Sequence, residues 1–179
     1  MKNCMFGTLC IWKQKGFTLI EILIVVMVLG ILAMIIVPQI TVSTQDAKES
    51  TLATNISALR NAIELYYLQH NNVYPGGTKN TGAALGNADD SALAFVEQLT
   101  QYTDATGKVA VAYNATTAPF GPYLKGGSLP TNPFNDKNDV VCNITETSIL
   151  VKTATSATGW LFYVKTGNLI ANDGAHTNL

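Results

Sequence analysis

Residues 22–37 read Ile-Leu-Ile-Val-Val-Met-Val-Leu-Gly-Ile-Leu-Ala-Met-Ile-Ile-Val, without a charged or polar side chain. Counted from Phe17, the apolar run is 21 residues long and is broken only by Thr18 and Glu21. As a helix rising about 1.5 Å per residue it would span about 31 Å, close to the roughly 30 Å of a bilayer core. Lys2, Lys13 and Lys15 all precede it. The positive-inside rule then predicts a single pass, with the N-terminus in the cytoplasm and the bulk of the chain beyond the membrane.

The rest of the composition fits that layout. Of the 179 residues, 47% are hydrophobic and 13% charged, the latter about half the share usual in a soluble domain. The apolar content is concentrated between Phe17 and Ile40, whereas the remainder is rich in Thr, Asn, Ala and Gly. The formal net charge of −1 offers no concentrated basic face, so no nucleic-acid partner is required. Residues 1–16 hold three of the eleven Lys and Arg and none of the twelve acids, so their removal leaves a net charge of −4. Removal would also take Cys4 and Cys10, leaving Cys142 alone. One thiol forms no intramolecular disulfide, and a lone cysteine is expected as a small buried apolar residue.

A secretory signal would have an apolar region of about 7–15 residues ending at a small-residue site. This run is longer, and Pro38-Gln39-Ile40 is a poor site of that kind. A plain membrane anchor fits the length but leaves Glu21 unexplained, because a carboxylate in such a helix is costly without a partner. The segment Lys15-Gly16-Phe17-Thr18-Leu19-Ile20-Glu21 resembles the type III signal of type IV pilins and type II secretion pseudopilins. The resemblance implies that a membrane prepilin peptidase cuts after Gly16 and methylates the new terminal amine of Phe17. It makes Glu21 the assembly residue, pairing with the Phe17 amine of a neighbouring subunit. In a low dielectric the two charges attract strongly, and each relieves the other's desolvation. Pro38, inside a stretch that otherwise continues as helix, predicts a kink. Gly30 is a second weak point or a place of close helix packing.

From residue 45 onward the pattern becomes amphipathic. Leu52, Ile56, Leu59, Ile63, Tyr66 and Tyr67 recur at three- and four-residue spacing. Asn71-Asn72 and Tyr74-Pro75-Gly76-Gly77 end this helix. A second helix is predicted over Ser91–Tyr102, capped by Asp90 or Ser91, with Leu93, Val96 and Leu99 as its apolar face. Alternation at Val109, Val111 and Tyr113, and over 148–153, 160–165 and 169–172, predicts three or four antiparallel strands, with a hairpin turn at Thr166-Gly167-Asn168. The block Phe120-Gly121-Pro122-Tyr123-Leu124 followed by Leu129-Pro130-Thr131-Asn132-Pro133-Phe134 resembles a loop of the major, G-type pseudopilin.

The expected fold is therefore α+β and pilin-like: a long N-terminal helix packed against a small antiparallel sheet. Four segments follow: a cytoplasmic leader (1–16), a transmembrane and filament-core helix (17–40), its amphipathic continuation (41–70) and an extracytoplasmic α+β region (71–179).

No nucleophile, phosphate-loop or metalloprotease motif occurs, so no enzymatic role is expected. His70 and His176, at a helix end and in the tail, are expected to be solvated. Asn132, Asn135, Asp136, Asn138 and Asp139 crowd eight residues, and Asn172-Asp173-Gly174 follows the last strand. Oxygen-rich loops suit Ca²⁺, and the resembled pseudopilins often hold a stabilising calcium there, so Asp136, Asp139 and Asp173 are the calcium candidates. Asn and Asp also favour turns, and the loop lacks that family's Asp-containing motif.

The implied function is a structural subunit of a helical filament, as the major pseudopilin of a type II secretion system. Its partners would be copies of itself, prepilin peptidase, other pseudopilins, the inner-membrane assembly platform and the membrane. The alternatives are a type IV pilus pilin for adhesion, motility or DNA uptake, and a pilin-like anchored surface binding protein.

Overall fold

The computed structural model describes residues 16–148 and 153–178, with backbone alone over 35–43. The chain divides into two units that meet between Thr44 and Gln45. Helix α1 (Leu19–Gln69) belongs to both.

In the second unit, α1 forms because its apolar side chains fall on one stripe. Leu52, Ile56, Leu59, Ala62, Ile63 and Tyr66 are all buried, spaced three or four apart. Asn71 and Asn72 end the helix with φ of 55° and 61°, a left-handed conformation that Asn tolerates better than other side chains. The Asn72 N–H donates to the Tyr67 carbonyl at 3.2 Å and closes the last turn.

Helix α2 (Ala88–Thr100) starts earlier than its sequence suggests, with Asn87 as cap; the Asn87 Oδ1 accepts from the Asp90 N–H at 2.8 Å. Both expected caps are engaged elsewhere. Ser91 is buried and its hydroxyl donates to the Gly76 carbonyl at 2.7 Å, while Asp90 pairs with Lys79 at 3.0 Å. The buried face is Ser91, Ala94, Phe95, Gln98 and Leu99; Leu93, expected on that face, is 55% exposed.

Five short strands follow: β1 (Tyr102–Thr103), β2 (Val109–Ala110), β3 (Val140–Asn143), β4 (Trp160–Tyr163) and β5 (Asn168–Ala171). β1 and β2 form an antiparallel pair. β4 is the centre of a three-stranded sheet, antiparallel to β5 with Trp160 opposite Ala171, and parallel to β3 with Val140 opposite Trp160. The three-stranded sheet is thus mixed, while the β1–β2 pair is antiparallel as expected. The parallel strand, β3, lies directly after the Asn- and Asp-rich loop and shows too little alternation to be recognised. The strand expected over 148–153 has its centre, 149–152, outside the described residues.

All four β4 residues are buried because the sheet is covered on both sides. Trp160 and Phe162 join the α1 stripe, Phe95, Leu99 and Cys142 in the main core, while Leu161 and Tyr163 pack with Ile170 and Val141 on the other face. Each large side chain buried this way contributes about 1.5–3 kcal/mol. Directional bonds fix the register of the layers. Arg60 Nη2 donates to the Leu169 carbonyl at 3.0 Å, and the Trp160 indole N–H donates to the Pro130 carbonyl at 2.8 Å. The β4–β5 turn requires glycine at 167, where φ is 72° and a Cβ would run into the Tyr74 ring.

Candidate processing and assembly site

In the first unit, Gly16 to Thr18 are non-helical and α1 begins at Leu19. Thr18 is its N-cap and Glu21 is the third helical residue. The Thr18 N–H and Oγ1 both donate to Glu21 Oε2 at 2.8 Å, and the Glu21 N–H reaches back to Thr18 Oγ1 at 3.3 Å. This is a capping box: two helix-start donors are satisfied reciprocally. The sequence Thr18-Leu19-Ile20-Glu21 carries its signature, an element that the pilin-like reading of Glu21 had passed over. The carboxylate also sits in the first turn, where the helix dipole favours negative charge.

Around this box the surface is apolar and open. Phe17 is 83% exposed, and the large apolar side chains from Leu19 to Met34 are all exposed. A Cβ added at Gly16 or Gly30 would meet nothing within 4 Å, so the fold of the chain itself does not require glycine at either position. Among the described residues no helix is long and apolar enough to cross a membrane. The apolar run continues through Val37, and its last three residues fall where side chains are not described. The kink expected at Pro38 falls in the same stretch and outside the described side chains.

In the second unit, the Phe120–Leu124 block closes over the end of α1. The N–H groups of Tyr123 and Leu124 both donate to the Leu99 carbonyl, at 2.9 and 2.8 Å, and the Tyr123 hydroxyl donates to Gln69 Oε1 at 2.6 Å. Burial pushes the Tyr123 hydroxyl pKa up to about 12, so it remains a donor.

His70 sits in this assembly and is buried, 1% exposed, not solvated as its place at a helix end suggested. Its ring stacks on Tyr66 at 3.7 Å, with Phe120 edge-on at 5.3 Å. Nδ1 lies 2.8 Å from the Tyr66 carbonyl, which only accepts, so Nδ1 carries the proton. Nε2 then accepts from the Thr103 hydroxyl at 2.9 Å. Burial holds the His70 pKa below its usual value, against the opposing pull of the Tyr66 carbonyl and the Asp104 carboxylate.

His176 is also half-buried. It lies 3.1 Å from Asp173 Oδ2 and stacks on Phe134 at 3.9 Å. Asp173 stands three residues before it, an acid neighbour that the sequence reading had missed. Cys142 is buried as expected, and burial pushes its thiol up to about 12, so it is neither a nucleophile nor a ready ligand.

The calcium candidates do not converge. Asp136 occupies a turn with φ of 55°, Asp139 Oδ1 accepts from the Gly159 N–H at 2.9 Å, and Asp173 faces Asn132 and His176. Among the described residues no group of three or more His, Cys, Asp or Glu is placed to hold a metal ion.

Residues 13–37 match the family described as the prokaryotic N-terminal methylation motif. The chain is 46% identical over 63 residues to "Type II secretion system core protein G" of Vibrio cholerae, covering 35% of this chain and 42% of that one. It is 40% identical over 70 residues to the protein of the same description from Escherichia coli, covering 39% and 46%. A "Fimbrial protein" of Pseudomonas aeruginosa is 32% identical over 141 residues, covering 75% of this chain and 88% of that one. The chain thus spans less than half the length of these secretion proteins and most of the fimbrial one. No solved structure matches. With the methylation motif over residues 13–37, likeness to the G-type pseudopilin over about a third of its length and likeness to a pilin over most of it, the chain belongs to the superfamily of type IV pilins and type II secretion pseudopilins.

Proposed function

We propose that the chain is the precursor of a filament subunit, cut between Gly16 and Phe17, methylated on the Phe17 amine and assembled through Glu21. The observation that carries this is the N-terminal start of α1. An open glycine, an exposed Phe17 and a capped carboxylate stand in that order at the head of an exposed apolar helix. Before assembly the Thr18 amide and hydroxyl hold the Glu21 carboxylate at the helix start. In the filament the same carboxylate is released to a stronger partner, the cationic amine of a neighbouring Phe17, in an environment free of water. Residues 17–68 form the core of the resulting bundle, with Pro38 as its bending point. The exposed apolar surface of the helix is covered first by lipid and then by other copies.

In this reading the precursor crosses the inner membrane once, Lys2, Lys13 and Lys15 inside and the folded unit outside. Prepilin peptidase, other pseudopilins and the assembly platform are its partners, and the subunit has no catalytic role. The relatives named as secretion core protein G support a place as the major pseudopilin of a type II secretion system. A type IV pilus pilin is the second reading, favoured by the 141-residue likeness to the fimbrial protein.

Mass spectrometry of the membrane-extracted protein tests the processing. The expected N-terminus is Phe17 carrying one methyl group, and a Gly16→Val variant should retain the leader. An N-terminus at Met1, or one beyond Pro38, overturns the reading.

A further inference from the structure

Three C-terminal loops, 130–139, 153–159 and 172–178, are tied together by the side chains of Asn132, Asn172 and Asp173. The Asp173 side chain is 4% exposed. Its Oδ1 accepts from the N–H groups of Ala175 and His176 at 3.0 and 2.9 Å. Its Oδ2 accepts from Asn132 Nδ2 at 3.2 Å and lies 3.1 Å from His176 Nδ1. Four donors therefore occupy the carboxylate that a cation would need.

The surrounding oxygens are occupied in the same way. Asn132, fully buried, donates also to the Gly159 carbonyl at 3.1 Å, and its own Oδ1 accepts from the Phe134 N–H at 3.0 Å. Asn172 Oδ1 accepts from the N–H groups of Thr155 and Ser156 at 2.6 and 3.2 Å. Among the described residues no buried side-chain nitrogen or oxygen lacks a partner. A calcium ion needs about six to eight oxygens with lone pairs directed at one point. Here the lone pairs of Asn132, Asn172 and Asp173 are directed at hydrogen-bond donors, and the Asn132 amide presents hydrogens, which repel a cation, to the Asp173 carboxylate. The donor set does not fit the metal that the family resemblance implies.

We propose that this chain closes its C-terminal loops with a metal-independent latch centred on Asp173, with Asn132 bridging to the Gly159 loop and His176 clamping the tail against Phe134. The folded unit then keeps its stability whether calcium is present or absent. The inference is independent of the assembly reading, because it concerns loops remote in sequence from Phe17 and Glu21.

The test is thermal unfolding of the full-length chain in detergent, followed by tryptophan fluorescence, in excess EDTA and then in added calcium chloride. Equal Tm in both conditions is expected. Asp173→Asn should lower Tm by roughly 4 °C or more in both, and His176→Ala should lower it less. A Tm that falls in EDTA and returns with calcium overturns the proposal, as does an Asp173→Asn variant as stable as the parent. The comparison of EDTA with calcium uses the unaltered chain, so it decides even if a variant fails to fold.

Discussion

Gln98 offers the sharpest energetic test of how the folded unit is held. It is fully buried on α2, and its side chain serves two loops. Oε1 accepts from the Gly76 N–H at 2.8 Å, and Nε2 donates to the Gly107 carbonyl at 2.8 Å, with longer contacts of 3.3–3.4 Å to Thr78 and Lys79. Replacing Gln98 with Met keeps most of the volume and removes every hydrogen bond. The Gly76 N–H is then left buried without an acceptor, which costs about 1–3 kcal/mol, and the loss of the Gly107 bond adds about 1 kcal/mol. The total, about 2–4 kcal/mol, corresponds to a fall in Tm of roughly 5–15 °C for a domain of this size. Gln98→Ala should cost more, since it adds a cavity. Urea unfolding monitored by Trp160 fluorescence gives both values. If Gln98→Met loses less than about 0.5 kcal/mol, the scale of an ordinary surface change, the amide is not the tie described here.

Two further outcomes follow from the aromatic assembly at the end of α1. Because burial depresses the His70 pKa, the unfolded chain binds more protons than the folded one as pH falls below about 6.5, so stability should decline from there toward pH 5. His70→Phe should flatten that part of the pH profile, and an unchanged slope would assign it to another group; Asp104 and Asp173, whose pKa values are lowered by hydrogen bonds despite burial, contribute their losses only below about pH 4. Tyr123→Phe removes the bond to Gln69 and should cost about 1 kcal/mol in urea unfolding, with no cost arguing against docking of the 120–124 block through that hydroxyl.

How much of this was legible in the sequence depends on how local each determinant is. The α1 stripe from Leu52 to Tyr66 was legible because helical spacing alone decides which side chains share a face. The β4–β5 hairpin was legible from two alternating runs around Thr166-Gly167-Asn168. β3 was not, because its identity as a strand comes from pairing with β4 across 16 intervening residues, a non-local fact. The face of α2 was misjudged for a related reason. Ser91 and Gln98 are polar, so the spacing of apolar residues favoured Leu93, yet loops 76–79 and 104–108 supply the partners that allow those polar groups to be buried. His70 was missed in the same way, since its burial depends on Phe120 and Thr103 arriving from distant segments. The methylation motif over residues 13–37 was legible in the sequence, while the Thr18–Glu21 box shows what the carboxylate does in the single chain.

The central claim is that Glu21 joins one subunit to the next. The most direct measurement is the amount of this subunit in filaments sheared from cells that express either the parent chain or Glu21→Ala at equal levels. The parent is expected in the sheared fraction, and Glu21→Ala is expected to be cleaved and held in the membrane but absent from filaments. Filaments of Glu21→Ala as abundant as those of the parent would contradict the account.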